Sequence, residues 1–115
     1  MIDWDRVVEL RAEVGEEAFA EVVEIFLEEV QEVVERLAAA VSAPVDAATL
    51  AADLHFLKGS ALNLGFAHLA ARCAVGEASA AAGDAAAVDL SALLACYEAS
   101  RQAFLRDLPA RLGQP

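Results

Sequence analysis

Positive charge is scarce in this chain. Eight lysines and arginines stand against nineteen aspartates and glutamates in 115 residues, a net charge of −11. A surface of that sign repels phosphate backbones, which excludes nucleic acid as a partner class. Cysteine is nearly absent too: Cys73 and Cys96 are far apart, with neither metal-ligand spacing nor a disulfide framework, so both are expected to be small reduced core residues. No run of eighteen apolar residues occurs, and the opening MIDWDRVVEL is charged where a signal peptide needs an apolar core. No membrane association is therefore expected, and the expected compartment is the cytoplasm.

What fills the chain instead is apolar residues, 58% of the total and rich in alanine. Alanine favours helix, and strand formers are not grouped into alternating runs, so an all-α fold is predicted. The length suits one domain, 1–115, with a single core. The charge is uneven. Residues 1–35 hold twelve acids against Arg6 and Arg11, a balance of −10 that leaves −1 for the rest. Such a run is commonly a solvated helix face.

The pattern divides into a short helix and four longer ones. Asp3 can cap the first, WDRVVELRAEV, with Ile2 stapled onto Val7 and Gly15 as its end. In the second, Phe19, Val22, Phe26, Val30, Val33 and Leu37 recur at three- and four-residue steps with glutamates between them. Pro44 breaks it and Asp46 caps the third helix, Ala47 to Leu64, which Gly65 closes. A fourth, Phe66 to Ala82, places Phe66, Leu69, Cys73 and Ala80 on one side. After Gly83-Asp84, a last helix carries Val88, Leu90, Leu93, Leu94, Tyr97, Phe104 and Leu105, with Pro109 and Gly113 marking a frayed end. Helices of this length joined by short connections predict an antiparallel up-down four-helix bundle, the short N-terminal helix lying across one end. Gly76 falls inside the fourth helix, where close helix approach is its simplest explanation.

The third helix contains DLHFLKGSALNLG, an odd sequence for a segment that only packs. At about 100° per residue, Leu50, Leu54, Leu57, Ala61 and Leu64 form one stripe, and His55 points away from it. Around His55 lie Ala48, Ala51, Ala52, Lys58, Gly59 and Leu62, so the imidazole stands clear of bulky neighbours. Gly59 costs about 1 kcal/mol relative to alanine and leaves bare backbone beside the ring. A neutral imidazole has a free ring nitrogen that can attack phosphorus, and an ammonium three residues on can screen the acquired charge. An incidental surface His-Lys pair fits the same geometry.

HFLKGSALNLG resembles the signature of histidine-containing phosphotransfer domains, matching at His55, Leu57, Lys58, Gly59, Ser60, Ala61, Leu64 and Gly65. The likeness extends upstream to the LR..VG.EAF pattern of Leu10 to Phe19, and covers about residues 4–82. The resemblance implies an up-down helical bundle without kinase activity of its own, shuttling a phosphoryl group between receiver-domain aspartates. By position, His55 is the phosphoacceptor, Lys58 the charge partner and Gly59 the clearance; Ser60 and Ala61 are packing positions. The implied partners are receiver domains of hybrid histidine kinases and response regulators, meeting a surface of Ala51, Ala52, Phe56 and Leu62. No cofactor or metal is implied for this chain, since magnesium belongs to the receiver, and a monomer is expected. Leu62 and Phe56 depart from the family's pattern of a small and a polar residue, predicting a larger apolar rim, unless Phe56 packs on a neighbouring helix.

Two other helical classes fit the sequence less well. A sensor-kinase dimerisation helix would follow its histidine with an acid and a proline, but Phe56 follows and no proline occurs between His55 and Pro109. A di-iron bundle needs Glu-x-x-His, and the positions three before His55 and His68 are Ala52 and Gly65; His68 is expected to be an ordinary surface residue. The alternative that stands is an acidic adaptor bundle that binds partners without chemistry.

Overall fold

Capping aspartates set three of the helix starts in the computed structural model, which describes residues 1–43 and 45–112. Among these residues the α-helices are α1 (Trp4–Val14), α2 (Phe19–Ala40), α3 (Ala47–Leu64), α4 (Ala67–Ala81) and α5 (Leu90–Arg111), with a 3-10 turn at Ala85–Ala87. Asp3 accepts from the Arg6 amide at 3.3 Å, Asp46 from the Thr49 amide at 3.0 Å and hydroxyl at 2.9 Å, and Asp89 from the Ala92 amide at 3.0 Å. Each such cap contributes about 1 kcal/mol. Asp89 explains why Val88 stays outside the last helix. Phe66 is the N-cap of α4 rather than its first residue.

The α3–α4 turn is built by Gly65, whose φ of 78° is left-handed. Its N–H donates to the Leu62 carbonyl and the Phe66 N–H to the Ala61 carbonyl at 2.8 Å, a Schellman arrangement that satisfies the orphan carbonyls. The turn also holds the N-terminus. The Asp3 N–H donates to the Gly65 carbonyl at 2.7 Å, and Ile2 pairs with Phe66 across an isolated antiparallel bridge. A Cβ on Gly65 would lie 2.6 Å from the Asp3 carbonyl oxygen, so glycine is required for space as well as for conformation. Trp4 stacks on Phe104 at 5.9 Å, and Phe104 meets Phe66 edge-on at 5.4 Å. These contacts seat α1 across one end of the bundle, as expected.

Helix α3 packs against α2 and α4, and α5 packs against α4 and α2, so the four long helices close a ring in chain order. The predicted α3 stripe is the centre of the core: Leu50, Leu54, Leu57, Ala61 and Leu64 are all buried. On α2 the buried positions are Phe19, Val23, Val30, Val33 and Leu37, while Val22 and Phe26 are only half-buried. The α2 stripe thus runs through Val23, i+4 from Phe19, rather than Val22. On α5, Phe104 takes the core position and rotates Leu105, expected inside, to the surface. Gly76 is buried where α4 meets α3, and a Cβ there would lie 3.1 Å from Leu54 Cδ1 and 3.3 Å from Val88 Cγ1. Close approach is therefore its role.

Pro109 does not end α5, which continues to Arg111 with the Leu112 N–H donating to the Leu108 carbonyl at 3.0 Å. In the last turn the proline removes only one helical hydrogen bond, and half-buried Leu108 and Leu112 hold the segment against the core. The expected break at Pro44 and the expected marker at Gly113 lie outside the described residues. Cys73 is buried and Cys96 half-buried, both as free thiols. No helix among the described residues is long and apolar enough to cross a membrane.

Candidate phosphotransfer site

The α3 core stripe fixes the rotation of that helix and so the direction of His55. Leu54 is fully buried; the next residue is turned about 100° outward, and the His55 side chain is 70% exposed. Lys58 sits one turn on along the same face, half-buried. Gly59 follows it, and a Cβ added there would meet nothing within 4 Å. Alanine would fit here without a clash, so packing inside this molecule does not require the glycine. Phe56 and Leu62 flank the site, 41% and 56% exposed; Phe56 is therefore not buried against a neighbouring helix. Ala52 is exposed and Ala51 half-buried on the N-terminal side. His68 is exposed and apart from this group, as expected.

One residue at the site was missed by sequence reasoning. Glu77 of α4 reaches across to α3, its Oε2 lying 2.9 Å from His55 Nδ1 and its Oε1 accepting from Lys58 Nζ at 2.7 Å. The preceding residue is Gly76, whose missing side chain allows α4 to approach α3 closely enough for this bridge. Glu77 is the sole acid of α4, and an acid beside a buried glycine in an alanine-rich helix was the available signal. What the sequence does not display is the register of α4 against α3.

The hydrogen bond from Lys58 is the main force holding the Glu77 carboxyl below its ordinary range, assisted by the bond to His55 and opposed by partial desolvation. An ionised carboxylate only accepts hydrogen bonds, so His55 Nδ1 is the donor. In the neutral ring the other nitrogen, Nε2, then carries the lone pair. Among the described residues Nε2 has no hydrogen-bond partner, and it belongs to a side chain that is mostly in solvent. A second tie, from Arg36 Nη2 and Nε to the Asp53 carboxylate at 2.9 and 3.4 Å, joins α2 to α3 beside the site.

An up-down bundle that displays one oriented imidazole with an ammonium group and bare backbone beside it has the architecture of a histidine phosphotransfer domain. The family model for the Hpt domain matches residues 21–113, and the chain belongs to that family. The match begins within α2 and runs through α5, leaving out α1, whereas the resemblance read from the sequence covers about residues 4–82. No curated protein and no solved structure matches the chain. Hpt domains carry a phosphoryl group on histidine in phosphorelays and interact with receiver domains, and this chain is a phosphotransfer domain of that kind.

Proposed function

We propose that His55 is the phosphoacceptor and that it reacts through Nε2. The observation that carries this reading is the Glu77 carboxylate at 2.9 Å from Nδ1, which leaves the solvent-facing nitrogen with its lone pair. Nε2 attacks the phosphorus of an aspartyl phosphate on a receiver domain; the P–Nε2 bond forms, the P–O bond breaks, and the aspartate leaves as a carboxylate. The Nδ1 proton stays on the ring, held by Glu77, and the positive charge of the phosphorylated imidazole is offset by that carboxylate. The reverse displacement passes the group to a second receiver.

In this reading Lys58 offsets the charge of the phosphoryl group, and Gly59 leaves room for it and for the incoming receiver surface. Glu77 is a positioning residue, acting through the ring. Ala51, Ala52, Phe56 and Leu62 form the surface that meets the receivers, which belong to a hybrid histidine kinase on one side and a response regulator on the other. The exposed Phe56 and Leu62 support a mainly apolar contact around the histidine. The protein acts as a cytoplasmic monomer in which residues 1–115 form one domain, without autonomous kinase activity.

The test is phosphoryl transfer from a radiolabelled receiver domain. Label is expected on the parent protein and not on His55→Gln, with phosphorus-nitrogen coupling at Nε2. Equal labelling of both proteins would defeat the assignment, and labelling of neither would favour the acidic adaptor.

A further inference from the structure

The edge of the bundle away from His55 carries a second feature. Because the four long helices close a ring in chain order, the α3–α4 edge that bears His55 and Glu77 lies opposite the α2–α5 edge. Along that opposite edge runs a groove of about 750 Å³. Phe19 and Val23 form its buried floor, and Leu27, Leu108 and the 42% exposed Leu105 form its walls. Such an apolar channel on a protein surface marks an interaction site more often than a packing defect.

The charge around it selects the occupant. Helix α2 carries six glutamates, at 21, 24, 28, 29, 32 and 35, and among the described residues none lies within salt-bridge distance of a lysine or arginine. Glu24 and Glu28 stand on the rim of the groove, with Arg101 the cation facing them from α5. A second copy of this chain would bring the same glutamates against themselves, and an anionic lipid surface would be repelled. The α2 wall from Phe19 to Gln31 is about 18 Å long at 1.5 Å per residue, which matches about three turns of a helix.

We propose that the α2–α5 groove docks a basic amphipathic helix of a partner protein, its apolar face on Val23, Leu27 and Leu105 and its lysines or arginines against Glu24 and Glu28. This is the helix-in-groove mode of recognition, with the acidic α2 face supplying steering and register. Occupying this edge leaves the His55 edge open, so one partner can be held while a receiver exchanges phosphate.

The probe is a synthetic amphipathic peptide of about fourteen residues, leucine on one face and lysine on its flanks, titrated into isotope-labelled full chain. Amide shifts are expected at Val23, Leu27, Leu105 and Leu108, with affinity falling at least ten-fold in Leu105→Asp and in Glu24→Lys/Glu28→Lys. Both sites are on the surface, and unchanged melting temperatures and unchanged phosphoryl uptake at His55 would show that each variant is folded. Shifts confined to the His55 face, equal binding of a peptide with glutamate in place of lysine, or a dimer in sedimentation that occupies the groove would each overturn the proposal.

Discussion

His55 and Lys58 share one carboxylate: the imidazole Nδ1 and the ammonium Nζ lie 2.9 and 2.7 Å from the two oxygens of Glu77. The arrangement gives Glu77 two separable tasks. In the proposed reaction it selects which ring nitrogen is nucleophilic, and it holds the ammonium beside the ring before any phosphate arrives.

Replacing Glu77 by alanine should slow phosphoryl uptake about ten-fold, the scale of one charge-assisted hydrogen bond at a half-exposed site. Glutamine, which still accepts from Nδ1 but carries no charge, should restore part of that rate. Stopped-flow transfer from a phosphorylated receiver measures both. Equal rates in the parent and the alanine variant would remove Glu77 from the reaction.

The same carboxylate should leave a trace in acid stability. Its pKa is depressed in the folded protein, so its contribution is present above the ordinary carboxylate range near 4.3 and is lost as pH falls through the depressed value. The difference in melting temperature between the parent and Glu77→Gln should therefore shrink from pH 6 to below pH 4. A difference that grows over that interval would contradict the ion pair.

Lys58→Ala should leave the fold intact, since the side chain is only half-buried and its partner Glu77 lies at the surface edge. The phosphorylated form should decay faster or transfer more slowly. Thermal melting and the decay of radiolabel separate the two effects, and an unchanged lifetime together with an unchanged transfer rate would exclude the lysine.

Gly59 and Gly76 make a paired test. At Gly59 a Cβ meets nothing, so Gly59→Ala should stabilise the helix by about 0.5–1 kcal/mol while slowing exchange with a receiver. At Gly76 a Cβ crowds Leu54 and Val88, so Gly76→Ala should destabilise the bundle by about 1–3 kcal/mol. Urea unfolding and transfer kinetics on the two variants check the contrast. If Gly59→Ala is stabilised and transfers at the parental rate, clearance is not the role of that glycine.

Burial raises the Cys73 thiol to about 12, and thiols react as thiolates. Alkylation with iodoacetamide at pH 8, mapped by mass spectrometry, should leave Cys73 unmodified in the native protein and modify it in urea. Rapid native labelling would mean that the α4 packing opens readily.

Much of this molecule was legible in the sequence because its signals are local. Asp46 and Gly65 bound α3 at the residues where the structure begins and ends it, and the leucine period alone turned His55 outward. What was illegible depends on how helices slide along one another. Val22 and Val23 are both apolar, and only the approach of the other helices decides which is buried. Glu77 became part of the site through the α3–α4 register, set by Gly76 and the Gly65 turn, neither of which announces a carboxylate beside the imidazole. Pro109 signalled a stop that packing of Leu108 and Leu112 overrode.

The reacting group, its carboxylate and its ammonium all reside on α3 and α4, two consecutive segments joined by a single glycine turn. In the proposed reaction, reactivity is thus the property of a hairpin, with α2 and α5 completing the core behind it. Exposed positions on the α2–α5 edge are accordingly separate from the groups that would carry the chemistry.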